Sequence, residues 1–107
     1  MNRIRSFREF WPFYVGEHRR ALTRRLHFVG TSGVLACVAG ALLTGRLLWL
    51  ALAPLCGYGF AWVAHFFVER NRPATFTYPL WSLAADFVMY GKMWTGRMDA
   101  DVERLTA

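Results

Sequence analysis

Three histidines, His18, His27 and His65, are the side chains of this 107-residue chain best suited to bind a metal or move a proton near neutral pH. Their spacing acquires meaning once the segments around them are folded. From Leu26 to Gly45 and from Leu47 to Val68 the chain runs 20 and 22 residues without a formal charge, with Arg46 alone between them. If both segments are helices folded back at Thr44-Gly45-Arg46, residue i stands level with residue 92 − i, and His27 is level with His65. At ~1.5 Å of rise per residue both lie about 28 Å from the turn.

Level is not the same as facing, and the helical faces decide that. His27, Gly30, Gly33, Cys37, Gly40 and Thr44 follow one another at spacings of three and four, as do Ala53, Gly57, Ala61 and His65 at spacings of four. Stripes of small residues are where membrane helices approach closely, so both imidazoles point into the helix interface. The bland alternative is that each is a hydrogen-bonded packing residue; the matched depth and face favour a shared metal or proton function. His18 precedes the first apolar segment, and a turn near Thr23 would bring it over the same mouth. Cys37 and Cys56 are nearly level too and are read as packing residues.

Charged residues crowd the same end. Glu69 lies one helical turn past His65, placed either to orient an imidazole or join a coordination sphere, or to pair with Arg72 or Arg25. Arg24, Arg25, Arg70 and Arg72 ring the helix ends. Their plainest duty is anchoring to lipid headgroups, and one or two could hold an acyl carboxylate by a bidentate pair.

The elements that must position these groups follow from composition. The chain is 55% hydrophobic, 17% aromatic and only 19% charged, which excludes a disordered or solvating segment. Seven of its arginines, including Arg3, fall in the first 25 residues, a basic head before an apolar body. Nucleic-acid binding would explain the head but not the 42 nearly uncharged residues after it. Segments of about 20 apolar residues suit a hydrocarbon layer roughly 30 Å thick, and a chain this short cannot cover two such helices on all sides in water.

The expectation is therefore an all-α membrane protein with a transmembrane helical hairpin, in a single membrane domain over 1–107. Residues 1–25 form a basic amphipathic head, with Ile4, Phe7, Trp11 and Tyr14 or Val15 on one face and Pro12 starting a new turn or kinking it. Such a segment is an N-terminal interfacial helix, and it lacks the apolar run of a signal peptide. The first span is 26–45 and the second 47–68. The basic residues flanking the spans place both ends of the hairpin in the cytoplasm. Pro79 opens a third helix over 79–95, which Asp86 in its middle makes interfacial or re-entrant rather than spanning. The tail 99–107 is polar and expected to fray. The lipid bilayer is the first partner, and the small-residue faces could also pair two copies in a homo-oligomer.

A family resemblance adds to this. The segment Phe13-Tyr14-x3-His18-x8-His27-x2-Gly30 and the run from Trp62 to Phe76, with His65, Glu69, Pro73 and Ala74 at its centre, resemble small membrane proteins long grouped as a domain of unknown function. Their yeast member is the iron-dependent 2-hydroxy-fatty-acid dioxygenase of the endoplasmic reticulum. The resemblance covers about Phe7 to Trp94, with Ala64 where the family usually has glycine. It implies Fe(II) at His18, His27 and His65, and oxidative one-carbon shortening of a 2-hydroxy acyl substrate by O2.

Two other classes remain open on the residues alone. A bis-histidine haem site would use His27 and His65 and leave His18 dispensable. A non-enzymatic small membrane protein for lipid binding or assembly would tolerate loss of all three.

Overall fold

The computed structural model describes residues 4–106, so Arg3 of the basic head lies outside them. Five α-helices and no strand are found among the described residues. Helix α1 spans Phe7–Gly16 and starts where Ser6, in extended conformation, accepts the Glu9 N–H at 3.2 Å. This serine satisfies one of the amides that every helix start leaves unpaired. Pro12 lies inside α1, which continues through it to Gly16.

The two long helices are α2, Ala21–Thr44, and α3, Leu48–Val63, whose last turns continue as a π-helix over Ala64–Glu69. Helix α2 thus begins five residues before the expected span, and the turn that returns the chain from α1 lies at residues 17–20 rather than at Thr23. Gly45, at φ 71°, ends α2 in the left-handed region that glycine enters without steric cost. Close approach of α2 and α3 uses the predicted small faces. A Cβ on Gly30 would stand 3.0 Å from the Cys56 carbonyl oxygen and 3.0 Å from Phe60 Cβ, and one on Gly40 would meet Trp49 at 2.7 Å. These glycines make their close contacts within the chain.

Both long helices are long and apolar enough to cross a membrane, yet only 22% of each apolar window is buried within the protein. Leu42, Leu43, Leu47 and Leu55 are each at least 70% exposed. An apolar surface this continuous is rare on a protein that faces water.

The core sits instead at the far end from the Gly45 turn. After a short 3₁₀ turn at Ala74–Phe76, α4 spans Pro79–Trp94, its proline in the first turn as expected. Phe10, Tyr14 and Val15 of α1 pack with Ala85 and Met89 of α4 and with Met98. Full burial of each large side chain there contributes about 1.5–3 kcal/mol. The tail does not fray: Met98–Thr106 forms α5, docked on α1. Asp101 makes this possible, accepting the Trp11 indole N–H at 2.9 Å and pairing with Lys92 at 3.0 Å and Arg104 at 3.1 Å. A polar composition concealed one buried apolar anchor and one multiply bonded carboxylate.

Candidate metal centre

The three histidines come from three elements and meet where α1, α2 and the π-helix converge. His18 lies in the turn after α1, its amide bonded to the Val15 carbonyl at 3.0 Å, which folds the ring back onto Tyr14 with centroids 4.0 Å apart. His27 is two turns into α2. His65 is carried by the π-helix, whose i→i+5 bonding places more residues in each turn and so shifts side chains around the axis relative to a continued α-helix. The Gly33–Cys56 and Gly40–Trp49 contacts run three residues short of the 92 − i register, which His65 restores against His27.

Nε2 of His27 is 3.1 Å from Nε2 of His18 and 3.2 Å from Nε2 of His65. One ligand atom from each ring can be taken so that all lie within 4.8 Å of one another. The rings are 1%, 6% and 2% exposed for His18, His27 and His65, so water does not separate them.

Their other nitrogens are each turned to an oxygen. Nδ1 of His18 is 2.7 Å from the Tyr14 carbonyl, which can only accept, so this nitrogen carries the hydrogen. Nδ1 of His65 is 2.7 Å from Oδ1 of Asn71, and the amide is oriented by its Nδ2, which donates to the Glu17 carbonyl at 3.1 Å. Nδ1 of His27 faces Oδ1 of Asp86 at 3.8 Å. A neutral imidazole protonated at Nδ1 has its lone pair on Nε2. His18 and His65 therefore aim lone pairs at Nε2 of His27, and one proton there could serve only one of them. A cation among the three nitrogens satisfies all of them.

The distances fit such an ion. Two metal–nitrogen bonds of about 2.1 Å at a right angle put their nitrogens about 3.0 Å apart. The 3.1 and 3.2 Å about His27 match that spacing, and ligand atoms from the three rings lie within 4.8 Å of one another. An oxygen acceptor that fixes tautomer and orientation is the usual support of a histidine ligand, and His18 and His65 each have one, while the Asp86 carboxylate lies farther off, at 3.8 Å from His27.

Charge at the site is suppressed by burial. Desolvation, reinforced by the neighbouring imidazoles, holds the pKa of His18 well below its ordinary value despite the Tyr14 carbonyl. Burial also pushes Asp86 on α4 up to about 6, against the stabilising hydroxyl of Tyr14, which donates to it at 2.5 Å. Asp86 thus trades the cost of a mid-helix charge for a place beside His27.

The other residues singled out in the sequence lie outside this cluster. Glu69 accepts the Arg20 amide at 2.6 Å and the Thr23 hydroxyl at 2.7 Å, tying the end of the π-helix to the start of α2. Its hydrogen bonds run to α2, where the sequence suggested an imidazole or Arg72 or Arg25. Arg24 is buried and donates to the His18 and Arg19 carbonyls at 2.9 and 2.7 Å and to Asp99 at 3.3 Å. It clamps the turn that carries His18. Arg25, Arg70 and Arg72 are exposed; Arg72 lies over the Phe76 ring at 5.2 Å. Arg70 has φ 59°, uncommon for a residue with a side chain, and ends the π-helix there. The Asn71 amide then bonds the His65 carbonyl at 2.8 Å, which brings the Asn71 side chain back over His65. Asn71 and Tyr14 are the supporting residues that spacing alone did not assign, because their roles depend on this local reversal and on the stacking of His18.

No curated protein and no solved structure matches the chain. The model of one family, described as 2-hydroxy-palmitic acid dioxygenase Mpo1-like, matches residues 4–98, a stretch that includes the three histidines and every residue behind them. With nearly its whole length matched, the chain belongs to the Mpo1-like family.

Proposed function

We propose that this protein is a membrane-embedded, Fe(II)-dependent dioxygenase that shortens 2-hydroxy fatty acids by one carbon. The observation that carries this is the convergence of three imidazole Nε2 atoms, two of the rings hydrogen-bonded to an oxygen at Nδ1, in a chain whose family is described by a 2-hydroxy fatty acid dioxygenase. His18, His27 and His65 hold the metal, the Tyr14 carbonyl and Asn71 hold the rings of His18 and His65, and the Asp86 carboxylate lies near that of His27.

Fe(II) bound there would supply open positions for O2 and for chelation by the hydroxyl and carboxylate of a 2-hydroxy acid. The overall change balances as R-CH(OH)-COOH plus O2 giving R-COOH, CO2 and water, with no outside reductant. The chain's own contribution is to bury the imidazoles so that they stay neutral, to exclude bulk water and to fix each ring. Glu69 acts as a positioning residue through α2, and Arg24 does so through the turn that carries His18.

In this proposal α2 and α3 with its π-helical end form a transmembrane hairpin whose two ends face the cytoplasm. Their exposed apolar flanks and the arginines at the triad end support that placement. Helix α1, with Phe13 and Arg8 exposed, and α4 lie in the interface. Arg25, Arg70 and Arg72 are free to meet phosphates and to draw in a carboxylate.

A bis-histidine haem would need His27 and His65 on opposite sides of one iron, about 4 Å apart with the macrocycle between them. The 3.2 Å spacing and the third imidazole favour adjacent ligands on a mononuclear ion. The test is mass spectrometry after incubating the detergent-purified, Fe(II)-loaded protein with 2-hydroxypalmitic acid and O2. A fifteen-carbon fatty acid is expected. Bound iron with no such product would favour a non-enzymatic protein, and a Soret band would favour haem.

A further inference from the structure

A cleft of about 280 Å³ opens between α2, α3 and α4 and begins at the triad. Its head is polar: His27, Thr31 and Asp86. Its walls are Val34 of α2, Ala53 and Gly57 of α3, and Leu83 and Phe87 of α4, with Leu50 near the Gly45 turn. At about 1.5 Å per residue, the run from the level of His27 to that of Leu50 is on the order of 20 Å. Thr31 is 8% exposed, lies one helical turn from His27 and lines the cleft. A hydroxyl at the cleft wall can both donate to and accept from a polar ligand head.

The local sequence explains the opening. Ala53 and Gly57 offer little side chain on the α3 wall, and Pro54 removes a backbone donor from the same stretch. On the other side α4 is held against α2 by the Ser32–Tyr90 hydroxyl pair at 2.9 Å and by Phe28 stacked on Tyr90 at 4.8 Å. These contacts lie toward the C-terminal half of α4, leaving Leu83 and Phe87 to line the gap.

We propose that this cleft is the acyl-chain site, with the Thr31 hydroxyl meeting the polar head and the tail lying between Ala53 of α3 and Leu83 of α4. The proposal rests on the dioxygenase reading for the identity of the head. A tail moving from lipid into the cleft passes between two apolar media, so its transfer contributes little affinity. Binding strength comes from the head, and the walls set where the tail runs and which chain lengths fit. The occupant is a single acyl chain, because the polar groups gather at one end and the rest of the lining is largely apolar.

The test uses the full chain in detergent, loaded with Fe(II), and a sixteen-carbon 2-hydroxy acid carrying a photoreactive diazirine in its tail. Labelling is expected on the segment from Leu50 to Tyr58 and on Leu83 or Phe87. Ala53→Trp and Leu83→Trp, on opposite walls, should each cut that labelling at least tenfold. Iron content should stay within twofold. Labelling confined to Leu42, Leu43 and Leu47 on the outer surface, or unchanged in both variants, would overturn the proposal. If a variant loses iron, the labelling map of the unaltered protein decides between these outcomes. Labelling in the cleft without any turnover would keep the site and overturn the dioxygenase. Turnover with an unaltered chain-length profile in both iron-loaded variants would do the reverse.

Discussion

Nε2 of His18 stands 3.1 Å from Nε2 of His27, while Nδ1 of His18 is bonded to the carbonyl of Tyr14. A backbone carbonyl cannot donate, so His18 presents a lone pair to its neighbour. His65 does the same from the other side at 3.2 Å, because Asn71 holds its Nδ1 hydrogen. The metal-free arrangement leaves one ring nitrogen more than a proton on His27 can satisfy. A cation among the three nitrogens would relieve that imbalance, which sets distinct expectations for the residues around it.

Removing any one ligand should abolish the site without dismantling the protein. His18→Ala, His27→Ala and His65→Ala are each expected to lower Fe(II) affinity by at least about 100-fold, since two imidazoles remain where three converged. Metal analysis and membrane extraction of the same samples check this. Retained iron in His18→Ala alone would remove that residue from the coordination set.

Asn71 acts on the metal only through His65. Asn71→Leu, which keeps the bulk and loses the acceptor, should weaken iron binding by about 10–100-fold, the usual cost of losing an orienting partner. Competition with a chelator of known affinity measures it. Unaltered affinity would mean that the π-helix alone orients His65.

Gly30 tests the helix approach that sets the His27–His65 distance. A Cβ there would already meet the Cys56 carbonyl oxygen at 3.0 Å, so Gly30→Leu must move the helices apart. A stability loss of about 1–3 kcal/mol is expected from overpacking, together with weaker iron binding. Thermal unfolding and iron titration should move together. A destabilised variant with unchanged iron affinity would uncouple the centre from this contact.

Glu69 separates a positioning role from a chemical one. Its carboxylate holds the Arg20 amide and the Thr23 hydroxyl, and hydrogen bonds to a charged group contribute about 1.5–3 kcal/mol. Glu69→Ala should therefore lower Tm while the rate per bound iron stays within about threefold, a change under 1 kcal/mol in barrier. A hundredfold fall in that rate at unaltered Tm would place Glu69 in the chemistry.

Much of this was legible in the residues, and the parts that were not have physical reasons. The two uncharged runs, the Gly45 turn and the small faces set out the long helix pair, and the matched levels of His27 and His65 put them side by side. Composition failed at the tail, since one buried methionine and one carboxylate with three partners are enough to dock α5. The supports behind the imidazoles were also hidden. A left-handed Arg70 returns Asn71 to His65, and Asp86 reaches His27 by packing of α4, neither of which leaves a periodic signal. Glu69 shares a face with His65 one turn away, and its hydrogen bonds to the Arg20 amide and the Thr23 hydroxyl depend on how the start of α2 packs, which spacing does not show.

The central claim is that the three histidines together hold one ferrous ion. Its most direct measurement is the iron stoichiometry of the detergent-purified protein after anaerobic Fe(II) loading and removal of unbound metal. One iron per chain is predicted for the unaltered protein, falling to background in His27→Ala, the residue whose Nε2 lies within 3.2 Å of both others. No retained iron in the unaltered protein, or equal iron in His27→Ala, would contradict it.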